Sequence, residues 1–236
     1  VKVILTMSNG YPLAGTEGPK HGDRGSGSFP ALGRFPGVIA VSRQPGSRGG
    51  RLANYLARKA GYTLFDRESL EFISRDGGRL AEVADELDSA AEAAVEDRMR
   101  ILASELAHFE EIAPLARAIL ALAARGGVVF LGRGAGFLLP RETTLHLRVV
   151  ADQVDRGRYL SQWLRLPADQ AERTLLEADN RREDFLHRHF GRAFIDPVTF
   201  DATLNTSRLG EEGAAGVALQ AFICRFPVPV AHRDAS

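Results

Sequence analysis

Three glycines and three arginines share one short stretch, V-I-A-V-S-R-Q-P-G-S-R-G-G-R-L-A, from Val38 to Ala53. Gly46, Gly49 and Gly50 let backbone N–H groups turn toward one point, and a helix starting behind them adds partial positive charge. Together these make a phosphate cradle. Arg43, Arg48 and Arg51 put cations where the phosphate rests. A glycine-rich turn with solvated arginines explains the same letters, and this segment alone weighs the two readings evenly. Its spacing also departs from G-x-x-x-x-G-K-[ST], in which lysine serves the β/γ-phosphates and a hydroxyl serves Mg2+. Gly49 stands at the lysine position, Arg51 falls near the hydroxyl position, and Arg43 replaces the first glycine.

Other residues carry weaker signals. Asp66, in D-R-E-S-L, either caps a helix or holds a Mg2+ water. Arg173, Arg181, Arg182 and Arg188 alternate with Glu172, Glu177, Asp179, Glu183 and Asp184, which reads first as a solvated, salt-bridged helix face. His187 and His189 are two apart and leave a helix on different sides, a poor spacing for metal ligands. Cys224, in A-F-I-C-R-F, reads as a core residue. Asn205-Thr206-Ser207-Arg208 ends a strand, and either approaches the adenine or the phosphate loop or simply turns.

The elements that must position these residues alternate along the chain. Short β-type runs occur at Gly37–Ser42, Tyr62–Phe65, Gly127–Leu131, Leu145–Val150 and Phe200–Asn205, with helical stretches between them. That order predicts a parallel sheet covered by helices on both faces, an α/β fold. Between the second and third runs, Leu80, Val83, Leu87, Ala91, Val95, Met99, Leu102, Leu106 and Phe109 recur at steps of three or four. They form one apolar helical stripe that packs on the core or, less expectedly, makes a helix–helix dimer seam. Ser89-x-x-Glu92 offers a capping box, and Pro114 is expected to end or restart the run. A further helix is predicted from Pro167 to about His189. Residues 1–36 and 226–236 read as tails, the first because Gly, Pro, Ser and charged residues dominate it.

Composition narrows the function classes. The 236 residues suffice for one α/β domain. Thirty basic and thirty acidic side chains cancel, so no global field favours nucleic acid or an anionic membrane, and any anion site must be local. One cysteine rules out an intrachain disulfide framework and fits a cytoplasmic protein. The most apolar window, Ile112–Ala124, is interrupted by Pro114 and Arg117 and is too short to span a membrane.

Four segments in order carry a resemblance: V-S-R-Q-P-G-S-R-G-G-R-L-A, Y-T-L-F-D-R-E-S-L, V-V-F-L-G-R-G-A and F-D-A-T-L-N-T-S-R-L-G. Over roughly Val38 to Ala221 the chain resembles the cytidylate-kinase-like family. The resemblance implies a P-loop kinase-like parallel sheet flanked by helices over 37–225, with a helical insertion at about 67–124 and a lid at about 167–199. It implies that Gly46, Ser47, Gly49 and Gly50 line the phosphate loop, with Arg43, Arg51 and Asp66 beside the nucleotide and Asp66 a candidate metal ligand. Arg133 in L-G-R-G-A resembles the arginine of a G-R-D motif that contacts the acceptor. Gly134 stands in place of that aspartate, which puts cytosine selectivity in doubt. Arg181, Asp184 and Arg188 resemble lid residues of that family.

The implied activity is phosphoryl transfer from ATP, with Mg2+, to CMP or a similar acceptor. Phosphoryl transfer asks for cations and geometry more than for covalent chemistry, and arginine forks suit phosphate oxygens. The missing lysine and hydroxyl keep a second expectation open: a non-catalytic nucleotide- or phosphate-binding protein, a degenerate kinase or sensor. A third is an oligomeric structural partner, a homodimer through the Leu80–Phe109 helices.

Overall fold

Five β-branched and aliphatic runs become five parallel strands in the order β2-β3-β1-β4-β5. They are β1 (Val38–Arg43), β2 (Thr63–Phe65), β3 (Val128–Leu131), β4 (Thr144–Val150) and β5 (Ala202–Asn205). The computed structural model describes residues 37–191 and 193–226. Strand β1 lies in the middle, with Ile39 opposite Val129 of β3 and Leu145 of β4.

Alternate residues on these strands feed two cores, as the period of two requires. Ile39, Val41, Leu145, Leu147 and Val149 pack with Leu52, Ala53 and Leu56 of α1 (Gly49–Ala60) and Ala214 and Ala218 of α9 (Thr206–Arg225). Val38, Ala40, Val128 and Phe130 face the opposite layer, built from α2 (Arg67–Arg75), α3 (Gly77–Asp85), α4 (Ser89–Glu105), α5 (Phe109–Ala124), α6 (Ala135–Leu138) and α8 (Ala168–Phe190). Helix α7 (Gln153–Leu164) forms a hairpin with α8. Both faces of the sheet are covered, which is why its strands read as continuous apolar runs.

The apolar stripe packs within its own chain. Ala91, Val95, Met99, Leu102 and Phe109 are buried, and Leu80, Val83, Leu87 and Leu106 pack against the same core. Three local expectations are corrected. Helix α4 is capped by Asp88, whose carboxylate accepts from the Ala90 and Ala91 amides at 3.0 and 2.7 Å, so Ser89 is the first helical residue and not the cap. Pro114 lies inside α5. Cys224 is exposed and not in the core. None of the helices among the described residues is long and apolar enough to cross a membrane.

Candidate functional site

The chain leaves β1, β3 and β4 at the same edge of the sheet, on either side of the point where the strand order reverses. Open α/β sheets hold ligands in the crevice at such a point. Here the loops are wired together. The Gln44 amide donates to Val149 O at 3.0 Å, the Ala151 amide to Gln44 Oε1 at 3.2 Å, and the Gly132 amide to Val41 O at 2.9 Å.

The glycine-rich loop runs from Gln44 to Arg48 and is firmly braced. Ser47 is fully buried, and its hydroxyl donates to Gln44 O at 2.7 Å. Thr206 Oγ1 donates to Ser47 O at 2.9 Å, so the residue after β5 does reach the loop. Gly46 has φ 74°, and a Cβ there would lie 2.7 Å from the Arg156 carbonyl oxygen, so only glycine fits. Gly49 opens α1 against Arg43, and Gly50 follows it into the helix. Arg48 caps α1 in the left-handed region, with its guanidinium 5.1 Å from the Tyr159 ring. Glu211 on α9 pairs with Arg48 at 3.2 Å and with Arg51 at 2.9 Å. Arg51 therefore turns toward α9.

After β3 the backbone stays left-handed for three residues in a row: Gly132 (φ 87°), Arg133 (φ 53°) and Gly134 (φ 68°). This geometry costs a non-glycine residue about 1–2 kcal/mol, and such strain is kept where the side chain has a task. Arg133 packs over the Phe185 ring at 5.0 Å and pairs with Glu71, while its buried Nε finds no partner. A Cβ on Gly132 would sit 2.7 Å from Arg43 Nη1, which brings Arg43 alongside Arg133.

Two more arginines complete the group. Arg182 of α8 donates from Nη2 to Ser42 Oγ at 3.1 Å. Arg148 of β4 lies opposite Ser42 in the register. Arg43, Arg133, Arg148 and Arg182 thus gather at one edge of the sheet. Arg133 is pushed down to about 10, by burial first and then by the charges of Arg67 and Arg43. Arg182 is also pushed down to about 10, by burial first and then by Arg148 and Arg43, against the opposing pull of Asp179 and Glu183. Partly buried like charges gathered in this way favour a bound anion.

The other lid residues lie elsewhere. Arg181 is exposed beside Glu177 at 3.6 Å, and Asp184 is exposed. Arg188 pairs with Glu111 on α5, Nε to Oε2 at 2.7 Å. One position of register separates the expected Arg181 from the converging Arg182. Sequence reading counted Arg182 among a solvated face and passed over Arg148. The only signal for Arg148 is a charge inside the apolar run L-H-L-R-V-V.

Asp66 caps α2, with its Oδ1 accepting from the Ser69 amide at 3.0 Å and the Ser69 hydroxyl at 2.8 Å. With Ser47 turned onto Gln44, the loop aims no side-chain oxygen at a divalent ion. Among the described residues no three His, Cys, Asp or Glu side chains group as metal ligands. The loop thus builds no all-protein Mg2+ cage, and a Mg2+ carried by nucleotide phosphates needs none.

Sheet order, loop and arginine edge define a P-loop kinase-like α/β fold. The family model described as the cytidylate kinase-like family matches residues 38–208, and the chain belongs to that family. No curated protein matches it. Among solved structures, an uncharacterized protein from Eubacterium ventriosum is similar at 16% identity with a TM-score of 0.53, over 79% of this chain and 98% of that one. That likeness concerns the fold.

Proposed function

We propose that the chain is a nucleotide phosphotransferase that passes the γ-phosphoryl group of ATP to the phosphate of CMP or a similar nucleoside monophosphate. The observation that carries this reading is the convergence of Arg43, Arg133, Arg148 and Arg182 at the strand edge of a kinase-like sheet. An acceptor phosphate oxygen forms the new P–O bond. The bond from the γ-phosphorus to the β,γ-bridging oxygen breaks, and its electron pair stays on ADP. The acceptor is already anionic, so no general base is required. The arginines offset charge on the oxygens of the moving group, and loop amides other than that of Ser47, which donates to Gln44 O at 3.2 Å, serve the donor phosphates. Mg2+ carried by the nucleotide phosphates would supply further charge stabilisation, and every residue role above is independent of it. The unit doing this is residues 37–225, with the lid at about 167–199, in a cytoplasmic protein. A homodimer through residues 80–109 is not part of this reading, since those apolar positions pack within the chain.

One observation favours a second reading, a non-catalytic nucleotide-binding protein. The loop lacks lysine, and Glu211 already engages Arg48 and Arg51.

The test incubates the protein with ATP and each nucleoside monophosphate, separating nucleotides by chromatography. Phosphotransfer predicts ADP and a nucleoside diphosphate in equal amounts. Arg133→Ala should weaken binding of the monophosphate by about 1.5–3 kcal/mol, the range for a charge-assisted hydrogen bond. Calorimetric binding without product supports the second reading. Absence of both binding and product defeats the first two together.

A further inference from the structure

Arg148 is a cation that the monophosphate contact at Arg133 does not require. It sits on the same face of the sheet as Ser42, and the two are opposite each other across β1 and β4. Its Nη1 makes one long contact to Phe194 O at 3.5 Å, its guanidinium lies 5.5 Å from the Phe200 ring, and its buried Nε has no partner. Arg182 reaches the same place from α8 through the Ser42 hydroxyl at 3.1 Å.

Three carboxylates of the region are engaged with other cations, while Asp179 and Glu183 also attract Arg182. Glu71 holds Arg133 and Arg67, Glu211 holds Arg48 and Arg51, and Asp179 holds Arg156 at 2.8 Å. Among the described residues, neither Arg148 nor Arg182 has a carboxylate within ion-pair distance. Arg182 holds the Ser42 hydroxyl and Arg148 stands beside it on the next strand, and two guanidinium groups placed so repel each other unless an anion lies between them. Burial first, and then Arg148 and Arg43, lower the Arg182 pKa against the pull of Asp179 and Glu183, in keeping with that repulsion. Arg43 follows Ser42 in β1 and extends over Gly132, next to Arg133. The two cation groups are therefore neighbours, as two linked phosphates are.

We propose that Arg148, with Arg182 and the Ser42 hydroxyl, binds the second of two phosphates: the phosphoryl group in transfer, which remains as the outer phosphate of the diphosphate product. This rests on the phosphotransferase reading and gives it a specificity residue. The site then holds a diphosphate more tightly than the corresponding monophosphate, and the difference resides in Arg148.

Calorimetry on the full chain tests this with CMP and CDP, and with phosphate and pyrophosphate as arms independent of the base. In the parent, each diphosphate should bind at least about tenfold more tightly than its monophosphate, the equivalent of one charge-assisted hydrogen bond. Arg148→Met should bring that ratio close to one while leaving the monophosphates unchanged, and Arg148→Lys should restore part of it. The ligand-free Arg148→Met protein should melt no lower than the parent, since a repulsion has been removed. A ratio preserved in Arg148→Met overturns the proposal. So does equal loss of both ligands, or a lower melting temperature with the ratio intact. A parent that binds CMP but holds CDP no more tightly defeats this inference alone. A parent that binds none of the four defeats the phosphotransferase reading as well.

Discussion

Arg156 shows how one residue fixes a loop. It is 6% exposed, and its Nη1 donates to both Asp179 oxygens, at 2.9 and 2.8 Å, and to Pro45 O at 3.3 Å. Its own carbonyl sits under Gly46. Helices α7 and α8 and the glycine-rich loop meet in this side chain. Removing one partner of a buried pair leaves a charge uncompensated, at about 3–5 kcal/mol. Asp179→Ala should cost about 3 kcal/mol in urea unfolding, toward the low end because Asp179 is partly exposed. A loss below about 0.5 kcal/mol, the range of an exposed pair, would show that the tie does not hold the loop. The glycines were legible in the sequence because strand, glycine loop and helix follow in order. Arg156 and Arg148 were not, since an arginine's partner 23 residues away or on a neighbouring strand leaves no local pattern. The lid register slipped for a related reason. Arg181 and Arg182 are adjacent, and only the packing of α8 decides which of them reaches the sheet.

At the scale of elements, the strands were the most legible part, because burial on both faces writes them as runs of Val, Ile and Leu. Helix ends were less so. Pro114 looks like a breaker, yet the hydrogen bond it forgoes belongs to Glu110 on the exposed first turn of α5, where water can take that role. The break falls earlier, at Leu106–His108, where His108 takes a left-handed conformation. The short helix α6 shows how closely elements can approach. A Cβ on Gly136 would meet the His146 ring at 2.2 Å, and that ring is packed between Phe137 and Phe200 and cannot yield. Overpacking of this kind costs about 1–3 kcal/mol. Gly136→Ala should therefore lower stability by at least about 1 kcal/mol, read as a shift in denaturant midpoint. An unshifted midpoint would mean that α6 moves away freely.

For the whole molecule, acid stability follows from that same histidine. His146 is 6% exposed, with Nδ1 3.0 Å from Thr199 O, and burial foremost holds it down to about 4. The unfolded chain, near 6.5, takes up the proton first. The stability associated with neutral His146 is thus complete above about pH 6.5, falls as pH drops toward 4, and is flat below. The span is worth about 3 kcal/mol. Melting temperature should fall across that window in the parent and fall less steeply in His146→Asn, which keeps a donor toward Thr199. Identical slopes would assign the acid sensitivity to other groups. The central place of β1 bears on how the chain is made. Ile39 has as partners Val129 and Leu145, and among the described residues no strand closer in sequence pairs with β1. During synthesis its apolar run leaves the ribosome long before either partner exists, and the sheet cannot close from a local hairpin. Such long-range parallel pairing is slow and leaves hydrophobic segments open to aggregation. Production of this protein should therefore be governed by how well the nascent first strand is shielded while the four helices between β2 and β3 are still being translated.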